Sequence, residues 1–199
     1  MVLNAVLLNR VVARGGLIVM SVLIMACAPN KFIKSEGFGA HGPVNGENII
    51  VYSMLDLREP YLGVPLIQSI HNAIVSQLSA AKCKVVVTMF KDSRVGQNFS
   101  WSGQGLVPYP RFVEENAFRE RSENITYRLL VIPAYTFDGG IYSYFDLNFM
   151  LWDIHQNRLI WKGVYRGNDM KLGGSLPYAD ELVAYLLKEL KSKKLLLTP

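Results

Sequence analysis

Ile141-Tyr142-Ser143-Tyr144-Phe145-Asp146-Leu147-Asn148-Phe149-Met150-Leu151-Trp152-Asp153-Ile154, then His155-Gln156-Asn157, then Arg158-Leu159-Ile160-Trp161-Lys162-Gly163-Val164-Tyr165-Arg166 is the stretch on which the fold turns. Tyr142, Tyr144, Asp146, Asn148, Met150 and Trp152 alternate with Ser143, Phe145, Leu147, Phe149 and Leu151, so a strand here has one polar-aromatic and one apolar face. Residues 155–157 supply a turn, and Leu159, Trp161 and Gly163 alternate with Ile160, Lys162 and Val164 on the way back. The spacing predicts a long antiparallel hairpin. Asp138-Gly139-Gly140 joins it to an earlier β-rich run, Tyr127 to Tyr135, ended near Pro133 or shortly after, which makes a three-strand meander.

Working outward, Asn48 to Leu55 holds Ile49, Ile50, Val51 and Tyr52 and suits a central strand. In Val64 to Ala81, Ile67, Ile70, Ile74, Leu78 and Ala81 recur at helical spacing, with Pro65 tolerated in the first turn. Gln68, His71, Asn72, Ser76 and Gln77 are expected to meet solvent. A strand over Cys83 to Met89 completes a βαβ-like unit with parallel strands. At the other end, Pro177 to Lys193 carries Ala179, Leu182, Val183, Leu186, Leu187 and Leu190 on one face, and lysines close it where cations complement the helix dipole. Leu195 to Pro199 follows as a short apolar tail, either a last strand or frayed.

The expected class is α+β, an α/β sandwich: a mixed sheet of about five strands in the order β-α-β-(insertion)-β-β-β-α, with the helices on one face. Residues 48–199 form this single domain. Residues 91–126 are its insertion, too long for an ordinary loop. The insertion contains Phe99, Trp101, Tyr109, Phe112 and Phe118, and its charged half predicts one short helix from Phe112 to Arg121. Its aromatics either form a binding surface or fold back as a lid over the core.

Leu23-Ile24-Met25-Ala26-Cys27 looks like the lipobox of a bacterial lipoprotein, closing an apolar run from Gly16 behind Arg10 and Arg14. That run has the length of a signal h-region, roughly 7–15 residues, and is short of the ~20 needed to span a bilayer. The resemblance implies cleavage after residue 26, acylation of Cys27, and, with Ala28 rather than Asp beside it, outer-membrane residence facing the periplasm. The alternative is an uncleaved N-terminal anchor with Cys27 an ordinary thiol. Residues 27–47, rich in Pro, Gly, Ser, Lys and Asn, read as a lipidated flexible tether.

Composition excludes several classes. Residues 1–26 include two of the 21 basic residues and no acid, so without them the charge falls from +5 to +3, and no Lys/Arg cluster interleaves with aromatics as nucleic-acid binding would require. Cys83 is then the one thiol besides Cys27, beside Val85-Val86-Val87, and reads as buried and inert. His41, His71 and His155 lie in a tether, a helix and a turn with no metal-ligand spacing. No Gly-x-Ser-x-Gly elbow, P-loop or Gly-x-Gly-x-x-Gly after a strand occurs. No catalytic residue, metal or cofactor is expected beyond the covalent lipid.

The hairpin Leu151 to Gly163, with Trp152-Asp153, a polar turn and Ile160-Trp161, within this order of elements, resembles a group of small envelope lipoproteins. The group includes activators of penicillin-binding proteins, curli-secretion lipoproteins and exopolysaccharide-export lipoproteins, with a core like the TolB amino-terminal domain. The resemblance implies binding or ring formation, not catalysis. The expected function is a non-catalytic adaptor or accessory subunit of an envelope assembly or transport machine, or alternatively a subunit of a homo-oligomeric export ring. A cell-wall hydrolase is the third reading. Candidate partner contacts are Phe99, Trp101, Tyr109 and Phe112 in the insertion and Tyr142 and Tyr144 on the hairpin, with the membrane engaged through Cys27 and the protein partner unidentified.

Overall fold

In the computed structural model the described residues are 31–39, 41–58, 62–91, 109–138, 142–170 and 177–197. Their strands are β1 (Lys31–Gly37), β2 (Asn48–Ser53), β3 (Lys84–Met89), β4 (Tyr127–Asp138), β5 (Tyr142–Asp153) and β6 (Arg158–Met170). The helices are α1 (Val64–Ala80), α2 (Tyr109–Glu115), α3 (Ala117–Ser122) and α4 (Pro177–Ser192), with a 3-10 turn at Leu55–Arg58. One mixed sheet results, in the order β1-β6-β5-β4-β2-β3.

The βαβ unit forms as its periodicity dictates: β2 runs parallel to β3 on one side and to β4 on the other. The meander forms too, with β4, β5 and β6 antiparallel in sequence order. The inner face of the sheet is closed by α1 and α4. Ile67, Ile70, Ile74 and Leu78 of α1 meet Leu182, Val183, Leu186 and Leu190 of α4 over Val51, Leu129, Phe149 and Leu151. Cys83 is buried as expected; its Sγ lies 3.3 Å from the Val44 carbonyl oxygen, and burial pushes the thiol pKa up.

Several expectations need correction. The sheet of about five strands has six, and residues 31–37, expected within a flexible tether, pair antiparallel with β6 as the edge strand β1. The cause is an aromatic seated on glycine. Phe32 lies over Gly163, where a Cβ would come within 2.6 Å of its ring, and stacks 5.8 Å from Phe149 and Trp161 and 5.6 Å from Tyr165. Trp161 adds a hydrogen bond, its Nε1–H donating to Ser35 Oγ at 3.1 Å. Val44, also expected in the tether, is fully buried, and its N–H donates to the Leu195 carbonyl at 2.8 Å.

Second, helices occupy both faces. The insertion's helix is split into α2 and α3 around Asn116, and Phe112 and Ile125 close a second apolar cluster on the outer face with Ile50, Tyr52, Leu130 and Ile132. This cluster is pinned by a buried ion pair. Arg128 on β4 grips Glu120 on α3 through two bonds of 2.7 Å, and Tyr52 donates its hydroxyl to the same carboxylate at 3.0 Å. Third, β4 runs past Pro133 to Asp138: β2 stops pairing at Val131, and an irregularity between Pro133 and Tyr135 accommodates the missing N–H. Fourth, β6 is not strictly period two. A bulge at Leu151/Trp152 lets Ile160 and Trp161 both turn inward, each fully buried.

The tail is neither a strand nor frayed over its described part. Leu195 and Leu196 are buried, and Leu197 N–H donates to Asn45 Oδ1 at 2.7 Å, clamping the C-terminus to the turn before β2.

Gly163→Val should evict Phe32 and release β1, raising amide hydrogen exchange across residues 31–37 while α1 stays protected. Arg128→Ala leaves Glu120, 5% exposed, as an uncompensated buried charge, and should cost about 3–5 kcal/mol in urea unfolding.

Candidate interaction surfaces

Cys27, Phe99 and Trp101 lie outside the described residues. Tyr109 opens α2, and Tyr142 and Tyr144 sit near the start of β5, but their side chains also lie outside the description. Phe112 is the one candidate whose surroundings are fully described, and it is not an exposed contact. It is 8% exposed and makes edge-on contacts with Tyr52 at 5.3 Å and Phe90 at 5.4 Å. The lid alternative describes it. Phe118, by contrast, is 76% exposed on α3.

The structure presents two surfaces, of which the sequence pointed only to the first, through Tyr142 and Tyr144 on the same face of the hairpin. One is the outer face of β5, β6 and β1, which no described helix covers. Alternation in the three strands brings Asp146, Asn148 and Met150 of β5 beside Lys162, Val164 and Arg166 of β6 and Lys34 and Glu36 of β1. Arg166 forks onto Asp146 through two bonds of 2.7 Å, and Glu36 bridges Lys162 at 3.0 Å and Lys34 at 3.8 Å. The Lys162 hydrogen bond holds the Glu36 carboxyl below its usual range. Lys34, Glu36, Asn148, Met150 and Val164 line a shallow cavity of about 180 Å³ there. Such a face sets charged pairs around a small apolar floor of Phe149, Met150 and Val164.

The second surface is a groove of about 420 Å³ between α1 and β3, lined by Gln68, His71, Asn72, Val75, Val87 and Met89. His71, expected to meet solvent, is 7% exposed, and its Nε2 sits 2.6 Å from Ser53 Oγ at the end of β2. Its spacing carried the signal: four residues after Ile67 and three before Ile74, it belongs to the buried stripe. A serine beside a histidine raises the question of a nucleophile and its base. Ser53 is 1% exposed and its oxygen already meets the Leu55 N–H, so no substrate carbonyl can reach it, and the pair serves to fasten α1 to β2. His155 is exposed in the hairpin turn, and His41 Nδ1 lies 3.2 Å from Arg158 Nη2. Among the described residues no group of three metal-ligating side chains occurs, and no helix is long and apolar enough to cross a membrane.

Burial depresses the His71 pKa below its ordinary value near 6.5, so the folded state prefers the neutral ring. This contribution to stability is whole above that ordinary value, where both states are neutral. It is lost progressively as pH falls below it, because the unfolded chain takes up the proton first. The urea midpoint should therefore drop between pH 7 and pH 5, and His71→Gln should flatten that part of the drop.

No family model matches the sequence, and comparison with curated proteins finds no match. Solved structures do resemble it. The PelC dodecamer from Paraburkholderia phytofirmans superposes with a TM-score of 0.53 at 15% identity, covering 81% of this chain and 97% of the PelC chain. A point variant of the same protein, also a dodecamer, gives 0.51 at 16%, covering 79% and 97%. Lipoprotein GNA1162 from Neisseria meningitidis, at 14% identity over 73% of this chain and 99% of its own, reaches 0.43, too loose to bear an argument. What this chain shares with PelC is the α+β fold, nearly the whole of the PelC chain finding a counterpart here.

Proposed function

We propose that this protein is a non-catalytic accessory subunit of a cell-envelope assembly or transport machine. In this reading it acts as a homo-oligomer, anchored to the outer membrane by a lipid on Cys27 and facing the periplasm. The observation that carries the proposal is the likeness, over four-fifths of the chain, to a protein whose structure is a dodecamer. The lipobox-like Leu23 to Cys27 supports the location. Two features of the sheet support assembly: among the described residues, a strand free on one side at each edge and an outer face only half covered.

A second reading, a monomeric adaptor, is favoured by the β5-β6-β1 outer face. Its paired charges suit a hydrated contact with a different protein, and anchoring to a surface raises the local concentration enough for weak contacts to suffice.

Mass measurement of the full-length protein after gentle detergent extraction separates the two. A discrete multiple of the protomer mass is expected, and a monomer would replace this reading with the adaptor. Intact-mass analysis should show acylated Cys27 as the first residue, whereas Cys27→Ser should leave the leader attached. A native protein carrying an unmodified leader would remove the anchor from the account.

A further inference from the structure

The two edges of the sheet are not alike. β1 has the marks of a protected edge: a bulge between Phe32 and Lys34, and the charged side chains Lys31, Lys34 and Glu36 along seven residues. β3, Lys-Val-Val-Val-Thr-Met, has no irregularity in its pairing with β2 and no charge from Val85 to Met89. Lys84 N–H donates to Glu47 and Phe90 N–H to Ser53, so the even-numbered residues turn their main chain toward β2. Val85, Val87 and Met89 therefore aim their N–H and C=O groups away from the sheet, and no described residue pairs with them. Beside them runs the groove against α1, with Met89 38% exposed at its rim.

We infer that β3 is a pairing edge for β3 of a second copy of this chain, joined antiparallel about a two-fold axis through Val86. The strand's own sequence selects this occupant. With Val86 opposite Val86 of the second copy, Val85 falls opposite Val87 twice, and those two pairs exchange about four main-chain hydrogen bonds. Valine then meets valine at three positions, and Lys84 meets Thr88, whose Oγ1 accepts from Arg119, a guanidinium already paired with Glu123. On the inner side the two α1 helices come alongside, bringing Gln68 and Asn72 toward their counterparts. The exposed Lys82 and Lys91 flank the strand at its ends, clear of the valine ladder. A long uncharged edge of this kind is a hazard when left bare, and a self-complementary partner removes it.

This inference rests on the homo-oligomeric reading above and names one two-fold contact within that assembly. Val87→Pro is the discriminating variant, since the N–H it deletes points away from β2 and the internal ladder keeps its bonds. In the full-length protein extracted in mild detergent, Val87→Pro should lower the assembly mass at least two-fold with an unchanged circular dichroism spectrum. Val86→Cys supplies an independent readout. A non-hydrogen-bonded pair about 4.5 Å apart is within disulfide reach, so mild oxidation should link its chains in pairs, while Ile33→Cys chains on the opposite edge stay single. If Val87→Pro loses its fold, the Val86→Cys result decides. A wild-type oligomer whose mass survives in Val87→Pro, or whose Val86→Cys chains remain unlinked, overturns the edge pairing and leaves the oligomeric reading standing. A monomeric wild type overturns both.

Discussion

Everything in this protein hangs on the apolar seam where α1 and α4 lie side by side over the inner face of the sheet. A twisted mixed sheet with a hydrophobic face is viable only if that face is covered, and the two helices cover it jointly. Ile70 and Ile74 of α1 and Val183 and Leu186 of α4 are fully buried in one continuous cluster with Val51, Phe149 and Trp161. Because α1 links β2 to β3 and α4 begins only at Pro177, the seam joins elements far apart in sequence. The C-terminal clamp of Leu195 and Leu197 onto Val44 and Asn45 then locks the end of α4 to the start of β2.

The outer face follows different physics. Its β3-β2-β4 half is closed by two short helices, held by Phe112 in the apolar cluster and by one buried charge cluster, Arg128 with Glu120 and Tyr52. Burial and the neighbouring carboxylate raise the Tyr52 pKa, which keeps its hydroxyl a donor to Glu120. In the β5-β6-β1 half Met150 and Trp152 pack against that apolar cluster, and beyond them the charges pair laterally, Arg166 with Asp146 and Glu36 with two lysines. One face is thus a conventional core, and the other is a latched patch beside an open, hydrated one.

Periodicity made the larger elements legible. Every residue expected on the buried stripe of α1 and α4 is buried, and the parity of β5 holds along its described length, with Phe145, Leu147, Phe149 and Leu151 inward. β1 escaped because its apolar payload is a single ring among lysines, serine and glycine. The informative residue was elsewhere: Gly163, an otherwise costly glycine inside a strand, marks the place where another aromatic approaches. His71 was misread by residue type although its spacing was that of the core. Phe112 shows the limit of composition, since an aromatic in a charged segment can equally face a partner or the segment's own floor. The contrast between the edges was legible in residues 84–89, but only the strand order shows that no described strand pairs with β3 on its far side.

Incorporating residues 31–37 into the sheet has a consequence for how far the folded body can stray from a bilayer. A lipid on Cys27, as proposed, would leave four peptide units before Lys31, a leash of about 14 Å at full extension. The domain would then ride close against the headgroups with its β1 margin held nearby, and β3 would stand some five strand spacings, about 24 Å, across the sheet. A binding site deeper in the periplasm would have to come down to it. Lateral encounters between neighbours in the same leaflet would cost such a short-leashed body far less than reaching upward.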